Sequence, residues 1–149
     1  MAIIQSEHAL GRKQAPYAAE SNNVVVAKYE VTLNSNIGAT DVVELGILPA
    51  YSVVVDATLV TDAMGTGITA DVGIMSGTPG APDDTRTVGN ELYAAADVAA
   101  AAVTRLSKAD AFRLAPTESD RALGLKVSGA VTASGQKATL VIQYAALSY

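Results

Sequence analysis

The ten residues Val24–Leu33, with the sequence VVVAKYEVTL, decide the fold class. From residue 27 onward, apolar and polar residues alternate one by one. The apolar positions are Ala27, Tyr29, Val31 and Leu33, and the polar positions between them are Lys28, Glu30 and Thr32. This alternation is typical of a β-strand with one face buried and the other in water. We therefore predict a half-buried strand here.

The rest of the chain contains further short segments of the same character, separated by clusters of glycine, proline, asparagine and aspartate. Such clusters favour turns, and their spacing of roughly 8–15 residues is typical of an all-β sandwich or barrel. The further predicted strands are residues 41–45, 51–62, 68–75, 103–106, 111–114, 121–131 and 137–145. We predict an all-β fold, an antiparallel β-sandwich of jelly-roll type with about eight strands.

Two pairs of these strands are separated by short turn sequences. Residues 51–62 and 68–75 flank a turn with two glycines, and residues 121–131 and 137–145 flank the sequence TASG. Short turns between alternating segments favour β-hairpins, so we expect two of them. The expected buried face of the first of these strands consists of Val53, Val55, Ala57 and Leu59.

One segment favours a helix. Residues 90–102 are dominated by alanine, the strongest helix former, and they place Leu92, Ala95 and Ala99 at helical spacing. We predict one short helix in this segment.

The first 23 residues show neither helical nor strand periodicity and contain turn-forming residues such as Gly11 and Pro16. Terminal segments of this kind are often ordered only against a neighbour. We predict an extended N-terminal arm over residues 1–23 and a single β-sandwich domain over residues 24–149, a length sufficient for one self-standing core.

The composition excludes several kinds of site. The 149 residues include no cysteine and one histidine, His8, which excludes disulfides, thiolate catalysis, cysteine-ligated metals and any cluster of two histidines. The aspartates lie mainly in turns or at solvent-facing strand positions, where they bond to the backbone. We therefore expect no enzyme activity, no metal and no cofactor.

The charge is unevenly distributed along an acidic chain of net charge −5. Residues 27–104 contain two basic and ten acidic side chains, whereas residues 105–126 contain five basic and three acidic ones. The negative total argues against a nucleic-acid partner, and no apolar stretch approaches the roughly 20 residues of a membrane span. We expect the acidic body of one copy to contact the basic stretch of another.

Several stretches of the sequence resemble those of a known family. The stretches DVVELGILPA (41–50), DVGIMSG (71–77), DTRTVG (84–89) and DRALGLKV (120–127) resemble small virion proteins of tailed bacteriophages, in particular capsid decoration, or cement, proteins. The resemblance implies a trimer on the outer surface of the capsid that bridges neighbouring major capsid proteins, with the N-terminal arm as a clamp. It also implies a protein made in the host cytoplasm and located in the virion.

The arm and the basic stretch supply the candidate contact residues. Apolar and aromatic side chains near a terminus serve as anchors, and basic side chains suit an acidic partner surface. The candidates for contact with the capsid or with another subunit are Ile3, Ile4, His8, Leu10, Arg12, Lys13, Tyr17, Arg105, Lys108, Arg113 and Tyr149.

The sequence is also compatible with other functions. A virion-surface binding module or adhesin for a carbohydrate or receptor would use the same scaffold, with Tyr51 or Tyr93 stacking on a sugar ring. A neck or baseplate component would share the fold. A hydrolase would depend on carboxylates alone.

Overall fold

The computed structural model describes residues 1–14, 23–34 and 37–146. In these ranges nine strands form two sheets, and one short helix, α1 (Ala109–Phe112), follows the seventh strand. The five-stranded sheet contains, in spatial order, β1 (Ile3–Gln5), β3 (Val42–Leu48), β8 (Arg121–Val127), β5 (Thr69–Met75) and β6 (Tyr93–Asp97). The four-stranded sheet contains β2 (Val24–Leu33), β9 (Gln136–Ala146), β4 (Ser52–Thr61) and β7 (Ala102–Arg105).

The two sheets share one apolar core, so the predicted all-β sandwich is confirmed. The core draws aliphatic side chains from both sheets, among them Leu45 and Leu125 of one and Leu59 and Ile142 of the other. All strand pairs are antiparallel except β1 with β3. The jelly-roll connectivity stays a prediction.

Strand β2 shows the predicted alternation over its second half. The buried residues are Ala27, Tyr29, Val31 and Leu33, and the exposed ones are Lys28, Glu30 and Thr32. The Tyr29 ring crosses the core and its hydroxyl donates to the carbonyl oxygen of Ile47 in the opposite sheet, at 2.7 Å. Gly46 makes room for this ring, because a Cβ at that position would lie 2.5 Å from the ring carbons.

The predicted buried face of the first hairpin strand is wrong in its first half. Strand β4 buries Val54, Ala57 and Leu59, whereas Val53 is half-buried and Val55 is exposed. The register with β9 shifts between Val54 and Asp56, which marks a β-bulge. A bulge inserts one extra residue and so reverses the faces on one side of it.

Both predicted hairpins are wrong. Strands β4 and β5 lie in different sheets, and so do β8 and β9. Each short turn therefore carries the chain from one layer to the other, and the hydrogen-bonded partners come from distant segments. A half-buried strand can either pair with its neighbour or face it across the core, and the alternation is the same in both cases.

The predicted helix over residues 90–102 is also wrong. This segment contains β6 and the start of β7, and the Tyr93 hydroxyl joins the two strands by donating to the carbonyl oxygen of Thr104 at 3.0 Å. Pairing with β5 and burial of Tyr93 outweigh the helix preference of alanine, which amounts to only tenths of a kcal/mol per residue. The predicted strand over residues 111–114 is replaced by α1 and its end.

The N-terminal segment differs from the predicted arm. Residues 3–5 form an edge strand that pairs in parallel with β3, and Ser6 and Ala9 are buried. Three residues are too few to show a periodicity, which is why the sequence did not reveal this strand. The boundary at residue 23 stays a prediction, since residues 15–22 lie outside the described part.

Candidate interaction surfaces

The N-terminal segment is fastened to the sandwich by Ser6. The Ser6 amide donates to the carbonyl oxygen of Glu44 at 2.9 Å, and its hydroxyl donates to the carbonyl oxygen of Leu45. The same hydroxyl oxygen accepts the amide of Ala9 at 3.2 Å and closes a turn. The turn therefore starts from a fixed position at the edge of the five-stranded sheet.

The candidates Ile3 and Ile4 lie half-buried within this edge. Ile3 packs against Val42 and Met75, and Ile4 packs against the main core. Both side chains therefore stabilise the attachment of β1 and offer only part of their surface to a partner.

His8 contacts Tyr29, one of the aromatic residues of the core. Its ring meets Tyr29 edge to face, with ring centroids 4.7 Å apart. Partial burial, with a smaller contribution from Lys13, lowers the pKa of His8 below its ordinary value of 6.5. The neutral imidazole is thereby favoured in this position.

Three candidates lie on the exposed side of the N-terminal turn: Leu10, Arg12 and Lys13. The Arg12 guanidinium lies 3.2 Å from the Glu7 carboxylate, in an exposed ion pair. An open groove of about 550 Å³ separates this turn from β2, with Glu7 and Lys13 on one side and Lys28 and Glu30 on the other. The groove thus presents both signs of charge.

The basic candidates lie near β7 and α1. Arg105 is largely exposed and pairs with Asp56 at 3.2 Å. Lys108 precedes α1, and its ammonium donates to the carbonyl oxygen of Asn90 at 2.6 Å. Arg113 follows α1 and is exposed.

The structure places these two sets of candidates at opposite edges of the sandwich. β1 and β2 are the edge strands on the side of the groove. β6 and β7 are the edge strands on the other side, joined by the bond from Tyr93 to Thr104. The N-terminal and basic candidates therefore cannot form one continuous patch. Tyr17 and Tyr149, the remaining candidates, lie outside the described residues.

A buried ion pair that sequence reasoning missed organises the N-terminal side. Nη1 of Arg86 lies 2.7 Å from Oε2 of Glu44, and both side chains are inaccessible to solvent. The Glu44 carboxylate also accepts the side-chain amide of Gln5 at 2.9 Å and the backbone amide of Gly80 at 2.8 Å. One carboxylate thereby connects β1, β3 and the long loop after β5.

Arg86 completes the organisation of that loop. Its Nε donates to the carbonyl oxygen of Ser76 at 2.7 Å, and its Nη1 donates to that of Ala81 at 2.9 Å. The sequence does contain a signal of this ion pair. Glu44 is the one charged residue in the apolar run VVELGIL, and a carboxylate buried there needs a basic partner.

Several aspartates accept hydrogen bonds from backbone amides and so have structural roles. Asp71 accepts the backbone amide of Ala95, Asp62 accepts that of Lys137, and Asp83 accepts that of Thr85, each at 2.8 Å. Among the described residues, no group of three or more His, Asp or Glu side chains is placed to hold a metal ion. No helix in that part of the chain is long and apolar enough to cross a membrane.

Comparison with solved structures places the protein among bacteriophage capsid proteins. A chain of the Ralstonia phage GP4 capsid matches with a TM-score of 0.93 and 39% identity, over 99% of this chain and 100% of that chain. The protein therefore belongs to the same capsid-protein family as that chain, and its role is structural, in the virion. No protein-family model and no curated protein matches the sequence.

Two more distant chains share the fold. A chain of the cyanophage Pam1 capsid asymmetric unit matches with a TM-score of 0.67 and 22% identity over 91% of this chain and 93% of that chain. A chain of the acid-stable capsid of Helicobacter pylori bacteriophage KHP30 matches with a TM-score of 0.56 and 20% identity, over 87% and 92%.

Proposed function

We propose that the protein is a capsid decoration protein. It binds the outer surface of the capsid as a trimer and reinforces contacts between neighbouring major capsid proteins. The N-terminal turn acts as the clamp on one side of each subunit.

The placement of the candidate contact residues at opposite edges carries this proposal. A reinforcing protein must hold two neighbours at once, which requires two separate contact sites on a rigid body. The exposed N-terminal residues supply one site, and Arg105 and Arg113 supply the other. Three subunits multiply these contacts, so that each one can be weak while the assembly binds tightly.

The fastening of the N-terminal turn supports its role as a clamp. The bonds of Ser6 and Gln5 hold the turn before any partner arrives. A contact segment that is already ordered loses less conformational entropy on binding than a free arm does. The exposed Leu10 then supplies an apolar contact, and Arg12 and Lys13 supply charge.

Cosedimentation with capsids that lack the protein tests the proposal. One variant carries Leu10→Asp, Arg12→Glu and Lys13→Glu, and a second carries Arg105→Glu and Arg113→Glu. We expect each to bind at least about tenfold more weakly, a loss equivalent to roughly 1.4 kcal/mol. Lys126→Glu, an exposed charge reversal on β8, is the control and binds like the wild type. Undiminished binding by both edge variants overturns the proposal.

A binding module for carbohydrate or receptor is the second candidate, and the exposed Tyr51 favours it. The Tyr51 side chain lines a small open pocket of about 330 Å³ together with Pro116 and Glu118. Tyr93 is unsuitable for stacking on a sugar because it is buried; its burial raises the pKa of its hydroxyl to about 12. A specific hit on a glycan array that Tyr51→Ala abolishes supports this function.

A further inference from the structure

The connections between the strands alternate between the two ends of the sandwich. The strand pairings place the end of β3 beside the start of β8 and the end of β5, and they place the start of β4 beside the end of β9 and the start of β2. The turn from β3 to β4 joins these two groups at one end, which we call the loop end. The connections at the loop end are residues 6–23, 49–51, 76–92 and 106–120, and those at the other end are residues 34–41, 62–68, 98–101 and 128–135.

The loop end differs from the other end in the length of its connections and in their exposed apolar side chains. Three of its connections are longer than a dozen residues, whereas none at the other end exceeds eight. Long connections are uncommon in a compact domain and usually carry function. The loop end also exposes Leu10, Tyr51 and Phe112, at 44%, 41% and 48%, and no connection at the other end exposes a large apolar side chain within the described residues. Exposed aromatic side chains are typical of interaction surfaces.

Both sets of candidate contact residues belong to the loop end. Leu10 and Lys13 lie in the connection after β1, and Arg113 lies in the connection after β7, which starts directly beyond Arg105. The two sets lie at opposite edges, and Tyr51 lies between them, because β3 is next to β1 in one sheet and β4 is next to β7 in the other. A partner surface that reaches both edges at this end therefore passes over Tyr51.

Tyr51 adopts a backbone conformation that a tyrosine side chain disfavours. Its φ of 60° lies in the left-handed region, where glycine or asparagine is the usual residue of a turn. Hydrogen bonds hold the turn in place: the Tyr51 amide donates to the carbonyl oxygen of Thr117, and the Ala50 amide donates to Oδ1 of Asp120, each at 2.8 Å. A bulky residue kept at such a position points to a role of its side chain beyond forming the turn.

We propose that the loop end of the subunit lies against the capsid and that Tyr51 is its central anchor, bound in an apolar pocket of the major capsid protein. The inference rests on the proposed decoration function and names the surface of the subunit that performs it. Because the turn is already fixed, the Tyr51 ring loses little conformational entropy on binding. Aromatic residues near the centre of an interface commonly supply much of its binding energy.

The surroundings of Tyr51 define the chemistry of the partner. Pro116 and Glu118 lie beside it, along an open pocket of about 330 Å³. Glu118 is exposed, so the matching surface of the capsid protein carries a basic side chain or a hydrogen-bond donor next to its apolar pocket. A protein partner is favoured over a sugar because contact candidates lie on both sides of the ring, whereas a sugar site needs several polar groups that converge on one pocket.

Two substitutions of Tyr51 test the anchor by cosedimentation with capsids that lack the protein. Tyr51→Gly removes the ring and suits the left-handed backbone, so we expect an unfolding temperature within about 4 °C of the wild type. We expect this variant to bind the capsid at least about tenfold more weakly. Tyr51→Phe keeps the aromatic ring and is the matched control, expected to bind within about threefold of the wild type.

Blocking one end of the sandwich at a time tests which end lies against the capsid. The chain contains no cysteine, so a single introduced thiol is modified selectively with a polyethylene glycol maleimide. Glu118→Cys places the polymer beside Tyr51, and Ala63→Cys places it at an exposed position of the other end. We expect modification to weaken capsid binding at least about tenfold for Glu118→Cys and to leave that of Ala63→Cys unchanged.

Wild-type binding by Tyr51→Gly overturns the anchor, and so does binding by Tyr51→Phe that is as weak as that of Tyr51→Gly. Equal effects of the polymer at the two ends, or a loss at the other end only, overturn the placement of the loop end on the capsid. In all of these cases the wild type binds the capsid, so decoration stands. A wild type that does not bind overturns decoration itself. A glycan that the wild type binds and Tyr51→Gly does not, with capsid binding unchanged, assigns Tyr51 to carbohydrate binding and overturns the anchor.

Discussion

The Arg86 guanidinium and the Glu44 carboxylate form an ion pair, 2.7 Å from Nη1 to Oε2, that the loop after β5 shields from solvent. Through Gln5 and Gly80 the same carboxylate connects the N-terminal strand with the loop after β5. The N-terminal segment and this loop are therefore both held by the Glu44 carboxylate.

Replacing Arg86 by methionine should destabilise the fold by about 3–5 kcal/mol, because it leaves the Glu44 charge buried without its partner. Chemical denaturation measures the free energy of unfolding. The double variant Glu44→Leu with Arg86→Met removes both charges and should recover part of the loss. A loss below about 1 kcal/mol for the single variant contradicts the role of the pair.

Deleting residues 1–9 should lower the free energy of unfolding by about 2 kcal/mol or more, because Ile4 leaves the core and Glu44 loses the amide of Gln5. Thermal unfolding checks this expectation. Leu10→Ser changes an exposed residue of the same segment and should leave the midpoint nearly unchanged. A deletion variant as stable as the wild type would show that β1 contributes nothing to the fold.

Gly46→Ala should destabilise the protein by about 1–3 kcal/mol, because the added methyl group overlaps the Tyr29 ring in a close-packed core. Gly38→Ala is the matched control, since a Cβ at Gly38 meets no atom within 4 Å. Denaturation of both variants side by side gives the comparison. Equal stability of the two would contradict the packing of Tyr29 under Gly46.

The lowered pKa of His8 predicts a stability that depends on pH. Because the pKa is below 6.5 in the folded state, the unfolded state binds the proton more readily. The contribution of His8 is present above pH 6.5 and is lost as the pH falls through the lowered value. The unfolding temperature should therefore fall more for the wild type than for His8→Gln between about pH 7.5 and pH 5. Parallel curves for the two proteins would refute this linkage.

The sequence predicts the strand content because a half-buried strand shows a period of two, as β2 does. It does not predict which strands pair, since β4 and β5 alternate in the same way whether they pair or face each other across the core. The bulge at Val55 and the strand conformation of Tyr93–Asp97 depend on partners far away in the chain. Local preference alone gives the wrong result for these segments.

For the contact candidates, too, the local sequence predicts some features, and others depend on distant parts of the chain. Exposure of Leu10, Arg12 and Lys13 agrees with their polar, irregular surroundings, whereas the burial of Ile3 and Ile4 depends on a parallel pairing with β3. The opposite placement of Arg105 depends on the sheet order, which no short stretch of sequence encodes.

Electron cryomicroscopy of the purified protein added to capsids that lack it shows whether and where the protein binds the capsid. We expect saturable density on the outer surface, over the junctions between neighbouring major capsid proteins, with the N-terminal turn and the β7 edge on different neighbours. Density within the shell or on its inner surface, or no bound protein at saturating concentration, would contradict it.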